Sequence, residues 1–441
     1  MGFIGRPRAV AILRSVPSNK IVVLNVVGLT PALAAHAPRI SELGKPRPWT
    51  SPLPAVTLTS QATMLTGLPP SKHGCVGNGW LFRDTMEARL WQQSSTLLQG
   101  EPLYAGLRTA KLFWWFNQGA PVEWSVTPKP HYGCDGSKQF GIINRTGLDL
   151  EADLGPFPFP SFWGPKAGLP SSDWIARAAE AVIRVNDPEL TLVYLPHLDY
   201  DYQRVGPGNP ERVREVDACA GRVIDAARGA GAEVVVVSEY GLVPVSRAVH
   251  INRELRKAGW LAVRDGPYGE MLDTHESKAF AVADHQLAHV YVKGVPTSEV
   301  SARLRALEGV DRVALPADLE LDHPRSGELI ALSKPDAWFA YPYWLDDARA
   351  PDFARTVDIH RKPGYDPCEL FLTSAPRAAF RLLQKKLGFR YRMDVIPLDT
   401  SLVKGSHGLR PAPDHGPVIL GPGETPSDMK GFKAYIQGLL R

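Results

Sequence analysis

Three apolar runs rich in β-branched residues constrain the fold of this 441-residue chain most strongly. They are residues 21–28 (IVVLNVVG), 190–196 (LTLVYLP) and 233–238 (EVVVVS). Runs of this kind are typical of strands that are covered on both faces, as in a parallel sheet. The sequence therefore predicts a sheet whose central strands are buried.

Helical segments alternate with these strands. One is predicted around residues 174–184, behind the helix-start signal SSD at 171–173, and another over 210–230, which two glycines close. The motif LTPAL after Gly28 indicates a further helix start. Repeated alternation of strand and helix predicts an α/β fold with a mostly parallel sheet and helices on both faces.

The pattern changes after Gly241. Shorter alternating runs follow at 279–283 and 288–292, and then a helix is predicted from about 297 to 307. We expect a smaller α+β insertion. The predicted division is an α/β core over 18–244, an insertion or cap over 245–395, and a return to the core with a C-terminal helix over 396–441, in which the motif KGSHG (404–408) rejoins the main sheet.

Composition narrows the possible partners. The net charge is +4, from 50 basic and 46 acidic residues spread along the chain, which argues against a nucleic-acid partner. No run approaches the roughly 20 apolar residues of a membrane span, and the N-terminus MGFIGRPRAVAILRSVPSNK lacks the apolar centre of a signal peptide. The four cysteines are far apart in the sequence, which argues against a disulfide scaffold and against a structural zinc site. We therefore expect a cytoplasmic protein with small-molecule partners and no membrane partner.

Polar side chains follow the predicted strands. Asn25 lies near the end of the first strand, Asp199 and Gln203 follow the second, and Glu239 and Tyr240 follow the third. Ligands bind at the carboxyl ends of the strands in folds of this class. Carboxylates, amides and a histidine gathered there favour a divalent metal site, and a threonine beside such a site is a plausible nucleophile.

The order of the motifs resembles a known family. A strand ending in glycine is followed by PAVT (54–57), TGLPPSKHG (66–74), an Asp-rich segment ending in GP (206–207), SEYG (238–241) and GSHG (405–408). This order is similar to that of the type I phosphodiesterase/nucleotide pyrophosphatase family of the alkaline phosphatase superfamily. The resemblance covers nearly the whole chain and implies an alkaline phosphatase-like fold.

The resemblance also implies roles for two residues. The family's nucleophilic threonine falls on Thr57, and an asparagine that helps bind a phosphoryl oxygen falls on Asn78. The hydroxyl-rich segment 54–74 would then begin a helix with Thr57 at its N-terminus, where a phosphoryl group is favoured. Both residues occur in sequences that also suit an ordinary cap or turn.

The chain departs from the family at most metal positions. The family presents two zinc ions through three Asp, three His and the Thr, whereas this chain has Val27, Gln203, Glu239 and Tyr240 at four of those positions. Asp199 and His407 match. Asn25 shares a strand face with Val27 and offers a substitute oxygen. The candidate metal ligands are Asn25, Asp199, Gln203, Glu239, Tyr240 and His407.

These substitutions leave the metal open among Zn²⁺, Mg²⁺ and Mn²⁺. Few anions remain to hold two adjacent dications, so one hard metal in an oxygen-rich site is easier to accommodate than a zinc pair. Tyr240 would bind a metal well only as phenolate, which is costly at neutral pH. The number of ions stays open as well.

Residues of the insertion are candidates to compensate. Asp284 and His285 form one pair. His289 follows His285 by four residues, and the two imidazoles would share a face only if this segment were helical. The sequence here favours a loop that enters a strand instead. Asp358 and His360 form another, and the cations Arg361 and Lys362 beside them are candidate phosphate ligands. A solvated loop held by ion pairs is the alternative for the second cluster.

Two functions follow as expectations. The first is a metal-dependent hydrolase of phosphodiester or nucleotide pyrophosphate bonds that acts through Thr57 on a small phosphoester or nucleotide. The second is a catalytically degenerate phosphatase-like fold that binds a phosphorylated metabolite or partner. Bound metal is expected for the first and not for the second.

Overall fold

The computed structural model describes residues 19–134 and 138–441. The N-terminal residues 1–18, on which the prediction of a missing signal peptide rests, lie outside the described part. Within the described ranges, no helix combines the length and apolarity that crossing a bilayer requires.

Twenty strands are described. They are β1 Lys20–Val26, β2 Arg47–Pro48, β3 Gly79–Phe82, β4 Glu87–Leu90, β5 Thr109–Leu112, β6 Trp124–Tyr132, β7 Lys138–Asn144, β8 Leu190–Leu195, β9 Ala232–Val237, β10 Val243–Pro244, β11 Arg247–Val249, β12 Ala262–Gly266, β13 Gly269–Asp273, β14 Ala279–Asp284, β15 Leu287–Val292, β16 Val310–Ala314, β17 Leu329–Ser333, β18 Ala337–Phe339, β19 Gly405–Ser406 and β20 Val418–Leu420.

Twelve α-helices are described along with them. They are α1 Pro31–Ala34, α2 Pro38–Ser41, α3 Thr57–Thr66, α4 Pro70–His73, α5 Leu150–Leu154, α6 Leu169–Asn186, α7 His197–Val205, α8 Pro210–Gly229, α9 Ile251–Lys257, α10 Thr297–Arg305, α11 Ala375–Lys386 and α12 Phe432–Leu439.

Eight strands form the central sheet, in the order β2-β20-β9-β1-β8-β5-β6-β7. The five inner strands β9, β1, β8, β5 and β6 run parallel, while the remaining pairings at the two edges are antiparallel. Every residue of β8 is buried, as its unbroken apolar sequence requires. Helices α6 and α8 pack on each other and on the sheet. The predicted fold class is confirmed.

The region after β9 builds separate small sheets. Strands β14, β15, β17 and β16 form a four-stranded antiparallel sheet with its own apolar core, and β11–β18 and β12–β13 are two-stranded. Within it, β14 and β15 lie where the alternating runs predict strands, and α10 where a helix is predicted. The domain boundaries themselves stay a prediction.

Two sequence predictions are wrong in detail. The signal at 171–173 does not start a helix, because α6 begins at Leu169 with Pro170 in its first turn, and Ser171 donates a hydrogen bond to the Gly168 carbonyl from inside the helix. The motif 404–408 does not rejoin the central sheet, since β19 pairs with β10. The chain returns later, through β20 beside β9.

One glycine allows the backbone to pass close to the C-terminal segment. A Cβ at Gly241 would lie 1.9 Å from the His415 carbonyl oxygen and 2.8 Å from Thr30 Cγ2. The carbonyl oxygen is a backbone atom of another segment, so it is displaced only if the chain around His415 moves. Gly241 therefore permits the turn after β9 that carries Glu239 and Tyr240.

We expect Gly241→Ala to lower the free energy of unfolding by roughly 2 kcal/mol or more, through overpacking against backbone. Urea denaturation followed by circular dichroism measures it. The matched control is Gly438→Ala in α12, where a Cβ meets nothing within 4 Å and the substitution should be neutral or slightly stabilising. Equal stability of the two variants would contradict the close approach of Gly241 to the His415 carbonyl.

Candidate active site

The predicted site residues of the core come from the carboxyl ends of the central strands. Asn25 is the penultimate residue of β1, and in the sheet register it lies beside Tyr194 of β8 and Val237 of β9. Glu239 and Tyr240 follow β9 directly, and Asp199 lies in the first turn of α7, just after β8. Parallel strands bring these ends to one edge of the sheet.

Thr57 is the first residue of α3, with Val56 as the N-cap, so the predicted helix start is confirmed. All ten residues of α3 are buried, and the left-handed Gly67, with a φ of 71°, ends the helix. The Thr57 hydroxyl Oγ1 lies 3.1 Å from the Tyr240 hydroxyl. The Thr57 hydroxyl is thus held at a helix N-terminus, where the backbone favours negative charge.

Asn78 is fixed by Asp284 from the insertion. The Asp284 carboxyl accepts hydrogen bonds from the Asn78 backbone N–H at 2.6 Å and from Nδ2 at 3.1 Å. Asn78 Oδ1 accepts in turn from the Leu58 N–H at 3.0 Å. Burial raises the pKa of Asp284 to about 7, against the opposing effect of these two bonds. The insertion therefore orients Asn78 against the start of α3.

Two amides hold the Glu239 carboxyl. Asn25 Nδ2 and Gln61 Nε2 each donate to Oε1 at 2.6 Å, and Gln61 Oε1 accepts from the Trp115 N–H at 2.8 Å. Burial raises the pKa of Glu239 to about 8, although the hydrogen bonds from Gln61 and Asn25 and the nearby Thr57 hydroxyl act in the opposite direction. Oε1 is engaged and Oε2 has no hydrogen-bond partner.

Gln203 binds neighbouring side chains through both ends of its amide. Its Nε2 donates to Asp199 Oδ2 at 2.8 Å, and its Oε1 accepts from the Tyr365 hydroxyl at 2.7 Å. Asp199 Oδ1 lies 3.5 Å from His407 Nε2. Burial raises the pKa of Asp199 to about 7. Gln203 therefore positions Asp199 in this structure, whereas the sequence predicts Gln203 as a metal ligand.

Four rings form a continuous stack beside Asp199. Tyr240 lies on His407 with centroids 3.5 Å apart and planes 5° apart, His407 lies 3.6 Å from His285, and His285 lies 3.8 Å from Tyr365. His407 Nδ1 is 2.8 Å from the Ala55 carbonyl oxygen and must donate to it, so Nε2 carries a free lone pair. Burial lowers the pKa of His407 to about 3, which keeps the ring neutral.

The Tyr240 hydroxyl is also buried, and burial together with the nearby Asp199 and Glu239 raises its pKa well above the ordinary value. Tyr240 is therefore a neutral phenol that hydrogen-bonds Thr57. A phenolate ligand at this position would have to overcome both effects.

His285 and His289 belong to a β-hairpin, which excludes the helical alternative for their spacing. β14 ends at Asp284 and β15 begins at Leu287, with His285 in the turn at a φ of 60°. His285 joins the ring stack, whereas His289 Nε2 lies 2.8 Å from the Val76 carbonyl oxygen. The hairpin thus delivers Asp284 and His285 to the site and leaves His289 in the packing beneath it.

The second cluster of the insertion makes other contacts. Asp358 lies 3.4 Å from Lys138 Nζ, and His360 Nδ1 lies 3.4 Å from the Leu90 carbonyl oxygen. Arg361 lies over the Phe353 ring, 3.8 Å from Asp352.

Lys362 is fully buried, and its ammonium contacts Asp366 at 2.7 Å and Glu369 at 2.6 Å. These two carboxylates raise the pKa of Lys362 against the lowering effect of burial. The structure does not join Asp358, His360, Arg361 and Lys362 to Thr57 by any contact between described residues, and Lys362 is already neutralised.

Four of the candidate ligands carry a buried acceptor atom without a hydrogen-bond partner. They are Asn25 Oδ1, Asp199 Oδ1, Glu239 Oε2 and His407 Nε2. Buried acceptors normally find a donor or a cation. Unpaired acceptors gathered at one sheet edge therefore indicate that a positively charged or hydrogen-bonding group belongs there.

The acceptors do not fit a pair of zinc ions. Among residues 19–134 and 138–441, no three His, Cys, Asp or Glu side chains are grouped closely enough to hold a metal. Asp199 Oδ1 and His407 Nε2, which lie 3.5 Å apart without a hydrogen-bond partner, would suit a single divalent ion, since an imidazole nitrogen and a carboxylate are ordinary ligands for such ions. The neutral side chains at Val27, Gln203 and Tyr240 leave little negative charge to hold two adjacent dications.

Three further residues of the site escape sequence reasoning. Gln61 hydrogen-bonds to Glu239, and Tyr365 hydrogen-bonds to Gln203. Tyr194 lies close enough to Thr57 for the threonine hydroxyl to influence the pKa of the Tyr194 hydroxyl. Gln61 is one helical turn from Thr57, a spacing that places both on one face of α3. That spacing is the one signal for Gln61 in the sequence, whereas Tyr365 carries none.

Residues 21–366 match the family model "Type I phosphodiesterase / nucleotide pyrophosphatase". The chain belongs to this family. The family is part of the alkaline phosphatase superfamily, and its name describes hydrolases of phosphodiester and pyrophosphate bonds. A comparison with curated protein sequences finds no match.

Solved structures share the fold. Phosphonoacetate hydrolase from Sinorhizobium meliloti 1021 in complex with phosphonoacetate has 18% identity and a TM-score of 0.63, over 97% of each chain. An inactive variant of murine ectonucleotide pyrophosphatase / phosphodiesterase 5 in complex with AMP has 14% identity and a TM-score of 0.57, over 96% of this chain and 95% of that one. At these identities the likeness shows the fold alone.

The buried carboxyls predict a pH-dependent stability. Asp199, Glu239 and Asp284 have folded pKa values of about 7, 8 and 7, against 3.8, 4.5 and 3.8 as ordinary values. A raised folded pKa stabilises the protein fully below the ordinary value, and this contribution is lost as the pH rises through the folded value. We expect the melting temperature of metal-free protein to fall from about pH 4 to about pH 8, between the ordinary and the folded pKa values, and to level off above that.

Glu239→Gln should make this fall shallower, because the amide keeps an oxygen for Asn25 and Gln61 but does not ionise. Differential scanning fluorimetry across the pH range measures the slope, with Glu424→Gln, at an exposed position, as the control. An unchanged slope in Glu239→Gln would show that Glu239 titrates alike in the folded and unfolded states.

Proposed function

We propose that this protein hydrolyses phosphodiester or nucleotide pyrophosphate bonds with Thr57 as the nucleophile. The observation that carries the proposal is the position of the Thr57 hydroxyl, at the start of a buried helix and next to the unpaired acceptors of the strand ends. Family membership supports the reaction class. The arrangement provides a nucleophile, an acceptor for its proton and an oriented amide in one place.

In the proposed reaction, the Thr57 oxygen attacks phosphorus and the bond to the leaving alcohol or phosphate breaks. Glu239, in its ionised form, accepts the proton of the Thr57 hydroxyl, which is close enough to influence the pKa of this carboxyl. Glu239 gives this proton to the oxygen of the leaving group, and water then cleaves the ester between phosphorus and Thr57, with its hydroxide retained on phosphorus and its other proton on the regenerated Thr57 hydroxyl. Asn78, held by Asp284, binds a phosphoryl oxygen through the second hydrogen of its Nδ2.

We infer one divalent cation, Mn²⁺ or Mg²⁺ before Zn²⁺, held by Asp199 and His407. Bound there, it would neutralise charge on the phosphoryl oxygens. Gln203 and Tyr365 hold the Asp199 carboxyl in place, and the Ala55 carbonyl fixes the tautomer of His407. Asn25 and Gln61 hold Glu239 in a separate position, so we assign Glu239 to proton transfer.

The substrate is proposed to be a small phosphorylated molecule. The two structural neighbours contain phosphonoacetate and AMP, which are small and carry a phosphonate or phosphate group. The net charge and its even spread offer no extended basic surface for nucleic acid.

Thr57→Ala should reduce kcat/KM for a chromogenic phosphodiester such as bis(p-nitrophenyl) phosphate by at least about 10³-fold, because the nucleophile is lost. Thr57→Ser should keep measurable turnover. Steady-state rates with added Mn²⁺, Mg²⁺ or Zn²⁺ provide the measurement.

The matched control for this loss is Thr59→Ala, which removes a buried hydroxyl two residues along the same helix and should keep near wild-type rates. Turnover that survives in Thr57→Ala would remove Thr57 from the mechanism. A wild-type protein that binds no metal and turns over no ester would instead support the non-catalytic binding function.

Asp199→Asn should weaken Mn²⁺ binding by at least about tenfold, since it removes the charge beside His407 Nε2. Isothermal titration calorimetry of metal-free protein gives both affinity and stoichiometry, and we expect one ion per chain. The control is Asp201→Asn, whose carboxyl faces Arg204 and Arg212. Equal Mn²⁺ affinity in the two variants would exclude Asp199 as a ligand.

A further inference from the structure

Helix α11 (Ala375–Lys386) and the segment after it expose an unusual concentration of large apolar side chains. Five of them are between half and two-thirds exposed, namely Phe380, Leu382, Leu383, Leu387 and Phe389. No residue of α11 is buried. Single exposed apolar residues are ordinary, but a cluster of this kind within ten residues marks an interaction surface.

One face of the helix fastens it to the protein. Arg377 and Arg381 pair with Asp394, and Ala378 packs against the small cluster of Cys368, Val395 and Ile396. The helical period places Phe380, Leu383 and Leu387 together on a second face, which the attachment leaves exposed and where the Arg381 guanidinium lies 5.8 Å from the Phe380 ring. The apolar face therefore points away from the body of the protein, and the attachment sets its direction.

Lys386 borders this face, Lys385 lies on the attached side with its ammonium 6.0 Å from the Tyr391 ring, and Arg390 and Arg392 follow the helix. Lys385, Lys386, Arg390 and Arg392 are all exposed, and no carboxylate in the described part of the chain forms an ion pair with them. The two arginines that have a partner, Arg377 and Arg381, are those on the attached side. The free positive charge is thus concentrated in the eight residues that flank the exposed apolar side chains.

We propose that α11 and residues 387–392 form a docking surface for an anionic lipid membrane. A helix with an apolar face bordered by lysine and arginine lies in the interfacial plane of a bilayer, where the apolar side chains enter the acyl boundary and the cations meet lipid phosphates. The cations without an ion-pair partner favour an anionic membrane over other binding partners of this helix, because they are complementary to a negatively charged surface. The sequence predicts no membrane partner, and this surface revises that prediction for peripheral binding to the membrane surface.

The test is co-sedimentation of the full-length protein with vesicles. One set is neutral phosphatidylcholine and the other carries about one-third phosphatidylserine, which gives the surface its negative potential. We expect binding to the anionic vesicles that weakens at high salt, and at least about tenfold weaker binding to neutral ones.

Two variants separate the apolar and charged contributions. Phe380→Ser with Leu383→Ser, and Lys385→Glu with Lys386→Glu, should each reduce binding to anionic vesicles by at least about tenfold. Val185→Ser with Val205→Ser removes apolar side chains that are equally exposed elsewhere, and Lys45→Glu with Lys334→Glu reverses exposed charges elsewhere. These controls should bind as wild type, and all variants should keep wild-type hydrolysis of a soluble ester.

Other occupants give different results. Wild-type binding in both α11 variants, or equal binding to neutral and anionic vesicles, would overturn the proposal. So would a concentration-dependent dimer that the α11 variants abolish while no vesicle binding occurs, because the face would then be a contact between copies of the chain. Because this docking surface is separate from Thr57, vesicle binding tests it even if the proposed hydrolysis fails.

Discussion

Burial of acidic groups at the ends of the parallel strands is the constraint on which the site depends. Asp199, Glu239 and Asp284 are buried and accept hydrogen bonds from side-chain and backbone amides. In the described part of the chain, no arginine or lysine is among their direct partners. Burial without a compensating charge raises their pKa values into the range of 7 to 8. A cation or a proton therefore has to complete the site.

The substitutions at the family's metal positions form a coherent replacement. Gln203 and Tyr365 bind each other and hold one side of Asp199, and the ring of Tyr240 stacks on His407 where a second metal ligand would stand in the family pattern. Neutral side chains thus stand at positions where the resemblance expects metal ligands. What is preserved is one carboxylate, one imidazole and the threonine at the helix start.

The sequence was sufficient for the fold because its signals are local. The buried runs at 21–28 and 190–196 each act over a few residues, so β1 and β8 lie where they are predicted, while the start of α3 at Thr57 follows from the family resemblance. The contacts of Asn78 with Asp284 and of Gln203 with Tyr365 join residues more than 150 positions apart. Such pairs depend on how the insertion docks, and no spacing along the chain encodes that.

The most direct measurement is anomalous diffraction from crystals of the protein soaked in Mn²⁺. One anomalous peak is predicted, within about 2.3 Å of both Asp199 Oδ1 and His407 Nε2. Two peaks separated as in a two-metal site, a single peak bound elsewhere, or no peak would contradict a site built for one divalent ion beside Thr57.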